Sequence, residues 1–204
     1  MLKEEKSNWD IVAQKMSADV SITLSSQRAS LLMRHPEKLL ELQAAYKFAA
    51  KLIGGNKTVL DLDCSDGFST YLLAKECGRA IGIIQDSQLA NLAKANFSGG
   101  QVSFMEELLP NGFNNSFFDA ITFLNNEDPY ILYGWLSQHI NLLQRFGVCI
   151  VKIPPAGPTV HQEKLSSYFR QVFSFTLNYE FVRPGVYPHA NSYLFLAAGR
   201  YDFS

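Results

Sequence analysis

Between Asp61 and Gly67 the chain reads Asp-Leu-Asp-Cys-Ser-Asp-Gly, three carboxylates, a thiol and a hydroxyl within seven residues. The apolar run Thr58-Val59-Leu60 precedes them, and the helix-forming stretch from about Phe68 to Cys77 follows. Asp61 thus closes a buried strand, and Asp63, Cys64, Ser65, Asp66 and Gly67 form a tight loop that opens a helix. In an open α/β sheet such a loop lies at the carboxyl end of a strand, where ligands bind. Small and polar residues there offer backbone N–H groups and carboxylates to a polar ligand. Cys64 stands near a helix N-terminus, where thiolates are stabilised, but has no His nearby in sequence and reads as a packed residue.

The elements that position this loop follow in order. Pro36 opens a helix whose stripe Leu39, Leu40, Leu42, Ala45, Tyr46, Ala49, Leu52 and Ile53 ends at Gly54-Gly55. A second strand runs from about Ala80 to Ile84, and Asp86 caps the next helix. Val102 to Met105 is a third strand, residues 110 to 116 are turn chemistry, and Phe117 to Leu124 is a fourth strand. Asp128-Pro129 opens a helix carrying Ile131, Leu132, Trp135, Leu136, His139, Ile140 and Leu143, which stops at Gly147. Val148 to Ile153 is a fifth strand, and residues from Lys164 to Phe173 are helical. Phe175 to Arg183 and Ser192 to Ala198 are two strands with no helix between them, so they pair antiparallel. The fold class expected is α/β, a doubly wound, mostly parallel, seven-stranded sheet with an antiparallel C-terminal pair. Residues 1 to 34 read as an N-terminal cover, with Trp9, Ile11, Val12 and Met16 at helical spacing and a polar loop from Ser25 to Ser30. Residues 35 to 204 form the α/β domain.

Composition bounds the function. The 204 residues are 47% hydrophobic and 18% charged, enough to bury a core. A net charge of −1 gives no global field toward nucleic acid or an acidic membrane. Cys64, Cys77 and Cys149 have neither disulfide nor zinc spacing, and the four histidines have no metal-ligand spacing. No metal is expected. Without a signal-peptide core or a membrane-length apolar run, the expected location is the cytoplasm. The loop lacks both G-x-G-x-x-G and G-x-x-x-x-G-K, which argues against dinucleotides and nucleoside triphosphates.

The order of elements, with VLDLDCSDGFST, IGIIQDSQLANLAKANF, FFDAITFL and NLLQRFGVCIVKIP, resembles the class I S-adenosylmethionine-dependent methyltransferases over roughly Pro36 to Ala198. VLDLDCSDG stands where the family has V-L-D-x-G-x-G-x-G, with Asp63 and Ser65 at the first two glycine positions and only Gly67 kept. The resemblance implies S-adenosylmethionine as cofactor and a small molecule or glycan precursor as acceptor. It implies that Asp61 anchors the amino-acid end through backbone and water contacts and that Asp63, Cys64, Ser65 and Gly67 form the cofactor loop. Ile84 and Gln85 would border the ribose, and Glu106 or Glu107 the adenine. Leu124 and Asn125 would line the methyl-transfer face. Ile84 stands where the family has an acidic residue for the ribose hydroxyls. Lys152 resembles the fifth-strand lysine of some RNA ribose methyltransferases, without their clear acidic partners. No catalytic residue is assigned; Glu127, Asp63 and His189 are candidate bases. The losses at positions 63, 65 and 84 support an alternative, a methyltransferase fold without catalysis that serves as a binding or partner subunit. That alternative expects an exposed apolar patch near Trp9 and the N-terminal segment.

Overall fold

The structure is a computed structural model that describes residues 21–62, 64–97, 99–107, 113, 117–125, 129–153, 167–182 and 190–200. The described helices are α1 (Ser26–Arg34), α2 (Pro36–Ile53), α3 (Phe68–Cys77), α4 (Ser87–Phe97) and α5 (Pro129–His139). A 3-10 turn (Ile140–Leu142) follows α5, and residues 167–172 are also helical. The strands are β1 (Lys57–Asp61), β2 (Gly78–Ile83), β3 (Val102–Met105), β4 (Phe118–Phe123), β5 (Leu143–Ile153), β6 (Phe173–Val182) and β7 (Ala190–Arg200).

They form one seven-stranded sheet in the order β3-β2-β1-β4-β5-β7-β6. The pairings among β1 to β5 are all parallel, and β7 runs antiparallel to both β5 and β6. The chain winds outward from β1 to β3, then returns to the far side of β1 with β4. The strand order therefore reverses between β1 and β4, the position where a crevice opens at the carboxyl ends. The expected sheet, including its reversed C-terminal pair, is the observed one.

Both faces of the sheet are covered, which is why β1, β2 and β4 read as continuous apolar runs. Val59, Ala80, Ala120, Leu124 and Ile150 pack with Ala45, Tyr46, Leu73 and Ala93 of α2, α3 and α4. On the opposite face Leu60, Ile81, Ile121, Phe123 and Val151 pack with Leu132 and Leu136 of α5 and with Phe169.

Two local expectations differ. The Ser25 to Ser30 segment is not a loop: Ser25 caps α1, its Oγ accepting from the Arg28 N–H at 3.2 Å. That polar run hides a helix because its buried side is Arg28, not an apolar stripe. The helix expected to continue to Gly147 ends at His139, and β5 already begins at Leu143. Gly147 instead lies within the strand, its missing Cβ giving room to the Leu143 side chain. Asp86 does cap α4, accepting from the N–H groups of Gln88 at 2.8 Å and Leu89 at 3.1 Å. Trp9, residues 110, 111, 112, 114, 115 and 116 of the expected turn, and the cap at Asp128 lie outside the described residues.

Candidate functional site

The loop after β1 is held from three directions. Asp61 is fully buried, and its carboxylate accepts from Thr70 Oγ1 (2.6 Å), Thr122 Oγ1 (2.7 Å) and Tyr46 Oη (3.3 Å). Those hydroxyls come from α3, β4 and α2. A carboxylate buried at a sheet's carboxyl end is costly unless it is hydrogen-bonded, and three donors satisfy it here. Asp61 therefore ties the two strands at the switch point to two helices. Its side chain is engaged inside the protein.

Asp66 is the second anchor. Arg28 Nε donates to both Asp66 oxygens (2.8 and 2.6 Å), Arg28 Nη2 to Oδ1 (2.5 Å), and Ser25 Oγ to Oδ2 (2.9 Å). All three side chains are buried. Burial by itself raises the Asp66 pKa, but the bidentate Arg28 contact, helped by Ser25 and the Phe68 N–H, outweighs it and holds the carboxyl below its ordinary range. The guanidinium also lies over the Phe68 ring, 5.2 Å from its centroid. Upstream, Thr23 exchanges two hydrogen bonds with the Asn96 side chain (3.0 and 2.7 Å), fastening the strap before α1 to α4. The sequence reading passed over Arg28, Ser25 and Asp66 because the partners are 38 and 41 residues apart.

Between these anchors the backbone bends sharply. Ser65 has φ +53° and Gly67 φ +81°, both left-handed. A Cβ at Gly67 would stand 2.7 Å from Ala93 Cβ and from the Phe104 ring, so glycine is required there for space as well as conformation. Ser65 holds the left-handed conformation despite its side chain, at a cost of about 1 kcal/mol or more. Cys64 is buried, its Sγ donating to Ile83 O (3.4 Å), and a Cβ at Gly82 would fall 2.5 Å from that sulfur. The thiol is a packing element seated on Gly82. Asp63 lies outside the described residues.

The second part of the site opens beyond β2 and β3. Gln85, Glu106 and Glu107 share a concavity of about 530 Å³ with Ile131, Trp135 and His139. The last three stand at i, i+4, i+8 on α5, one helix face. That spacing was visible in the sequence but read as core. Burial lowers the His139 pKa, which favours a neutral imidazole near neutrality, and its ring lies 5.4 Å from that of Trp135. Glu106 faces Lys94 at 3.6 Å, both half-exposed.

Ile84 does not border this opening. It is 3% exposed, a member of the core cluster on the α2, α3 and α4 face, and its N–H donates to Met105 O (2.8 Å). Gln85 beside it is exposed. Leu124 is likewise fully buried, leaving Asn125, partly exposed, at the end of β4. Lys152 is buried and faces Glu41 of α2 at 3.4 Å. The candidate bases Glu127 and His189 lie outside the described residues. Among the described residues no cluster of three or more His, Cys, Asp or Glu could hold a metal, and no helix is long and apolar enough to cross a membrane.

No family model and no curated protein sequence matches the chain. Solved structures do. The tRNA (m1A58) methyltransferase TrmI of Aquifex aeolicus is 15% identical with a TM-score of 0.61, over 78% of this chain and 69% of that one. The 1,6-didemethyltoxoflavin-N1-methyltransferase of Burkholderia thailandensis, with bound substrate and S-adenosylhomocysteine, is 16% identical with a TM-score of 0.60, over 90% and 93%. A chain of the complex between the Haloferax volcanii Trm112 methyltransferase activator and a methyltransferase is 13% identical with a TM-score of 0.60, over 88% and 95%. With the strand order, the reversed β7 and the left-handed loop after β1, the likeness identifies the fold as that of the class I S-adenosylmethionine-dependent methyltransferases.

Proposed function

We propose that the protein is an S-adenosylmethionine-dependent methyltransferase acting on a small molecule or glycan precursor. The observation that carries this reading is the loop after β1. Two of its three family glycines are replaced, yet Ser65 keeps a left-handed φ of +53° and Gly67 one of +81°. A turn needed only to join a strand to a helix has no call for a strained serine. Strain of this kind persists where the surroundings over-determine it, and it concentrates at ligand sites.

When bound, the cofactor supplies a methyl group on a sulfonium already activated for transfer. The chain has to bind, align and exclude water. In this reading the 63–67 loop receives the amino-acid side, with Ser65 and Gly67 shaping the backbone and Cys64 supporting it from below. Gln85 is placed to accept from a ribose hydroxyl, and Glu106 or Glu107 from the adenine amine. Asn125 flanks the methyl-transfer face. A net charge of −1 favours a small acceptor over RNA, although three similar structures are tRNA or rRNA methyltransferases by description.

The test is calorimetric titration of the full chain with S-adenosylmethionine and S-adenosylhomocysteine. Micromolar binding of either is the expected result. No heat and no thermal shift at millimolar ligand would overturn the reading. A partner subunit would then take its place, supported by Leu32, Met33 and Leu40 of α1 and α2, which are 50%, 76% and 70% exposed.

A further inference from the structure

Two buried polar atoms beside the first loop have no partner: Arg28 Nη1 and Gln43 Oε1. Each belongs to a side chain whose other polar atoms are engaged. Arg28 directs Nε and Nη2 at Asp66. Gln43 Nε2 donates to Ser69 Oγ at 3.3 Å. Asp66 and Ser69 are three residues apart, at the entry to α3, so the two orphans are tied to the same short stretch of chain. Arg28 is only 6% exposed, and a buried donor left unmade costs about 1–3 kcal/mol, more for a charged group. The guanidinium face is covered by Phe68, so Nη1 has only its in-plane directions left.

We infer that Arg28 and Gln43 receive the α-amino-acid end of the cofactor, the guanidinium taking the carboxylate and the amide oxygen the ammonium. The inference rests on the function proposed above. An α-amino acid carries an anionic acceptor and a cationic donor on one carbon, and the orphans are one cationic donor and one neutral acceptor. A phosphate would satisfy Arg28 and leave Gln43 unmet; a simple amine would do the reverse. The Asp61 carboxylate is already engaged by three hydroxyls, which leaves a ligand's charged groups to other side chains. Asp66 holds the guanidinium in a fixed plane, so Nη1 is oriented before the ligand arrives, which lowers the ordering cost of binding.

The experiment compares two ligands by calorimetry on the full chain. S-adenosylhomocysteine carries the amino-acid end; 5′-methylthioadenosine has the same nucleoside and sulfur without it. Arg28→Gln is expected to weaken S-adenosylhomocysteine by about tenfold or more, the size of one charge-assisted hydrogen bond, and 5′-methylthioadenosine by less than about threefold. Gln43→Leu, which leaves the Arg28–Asp66 pair untouched, is expected to act selectively in the same direction and carries the test if Arg28→Gln fails to fold. Equal weakening of both ligands, or of neither, overturns the inference, because Arg28 then only shapes the loop through Asp66. If the unaltered protein binds neither ligand, the cofactor reading itself falls, and this inference with it.

Discussion

The two halves of the site are built on opposite plans. At the loop after β1, charged and polar side chains are buried and bonded to each other: Asp61 to three hydroxyls, Asp66 to Arg28 and Ser25. Beyond β2 and β3, Gln85, Glu106 and Glu107 stand exposed around an open concavity. The first half is fixed before any ligand binds; the second spends few internal bonds and leaves its groups to water. Substitutions in the first half should therefore cost stability, and those in the second should cost binding alone.

The largest effect is expected at Asp61. Asp61→Ala strands three buried hydroxyls and is expected to destabilise the fold by about 3–5 kcal/mol, read as a lower denaturant midpoint. Retention of wild-type stability would show that the network is dispensable and would erase the contrast. Next is Gly67→Ala, where a positive φ and contacts of 2.7 Å combine. A loss of about 2–4 kcal/mol is expected, from backbone strain and overpacking together.

Asp66 sharpens the comparison through pH. Its folded pKa lies below the ordinary carboxylate value, so the Arg28–Asp66 pair stabilises the fold fully above about pH 4 and loses that contribution as pH falls through the lower folded value. Asp66→Asn is expected to lower stability at pH 7 and to flatten its acid dependence, measured by urea unfolding across pH 2 to 7. An unchanged acid limb would assign that dependence to other carboxylates.

The smallest effect on the fold belongs to the open half. Glu106→Gln is expected to change stability by less than about 0.5 kcal/mol, as for other exposed substitutions. It is expected to weaken S-adenosylhomocysteine several-fold, as judged by calorimetry. A stability loss like that at Asp66 would show the two halves to be built alike.

The folding pattern was written locally for most of the sheet. Apolar runs buried on two faces, the stop at Gly54 and the Asp86 cap are short-range signals, and the structure bears them out. The antiparallel end was legible because the sequence shows no helical pattern between the two stretches from Phe175 to Arg183 and from Ser192 to Ala198. What misled was also local. The 25–30 run looked like a loop because α1 buries an arginine, and amphipathic patterning does not register a buried ion pair. The burial of Ile84 was not legible either, because alignment counts residues along the chain, while burial depends on the elements packed over it.

From the sequence alone came the fold class, the position of the loop at the end of β1 and the altered residues within it. Those are set by hydrophobic periodicity and by residue types at fixed spacing, which act over a few residues. Tertiary structure alone decided that Ser65 keeps a glycine's conformation, that Asp61 is engaged inside the protein, and that Arg28 and Gln43 keep unpartnered atoms beside the loop. Each depends on groups brought together from distant parts of the chain. A hydrogen bond or an orphaned atom exists only once the packing that buries it has formed.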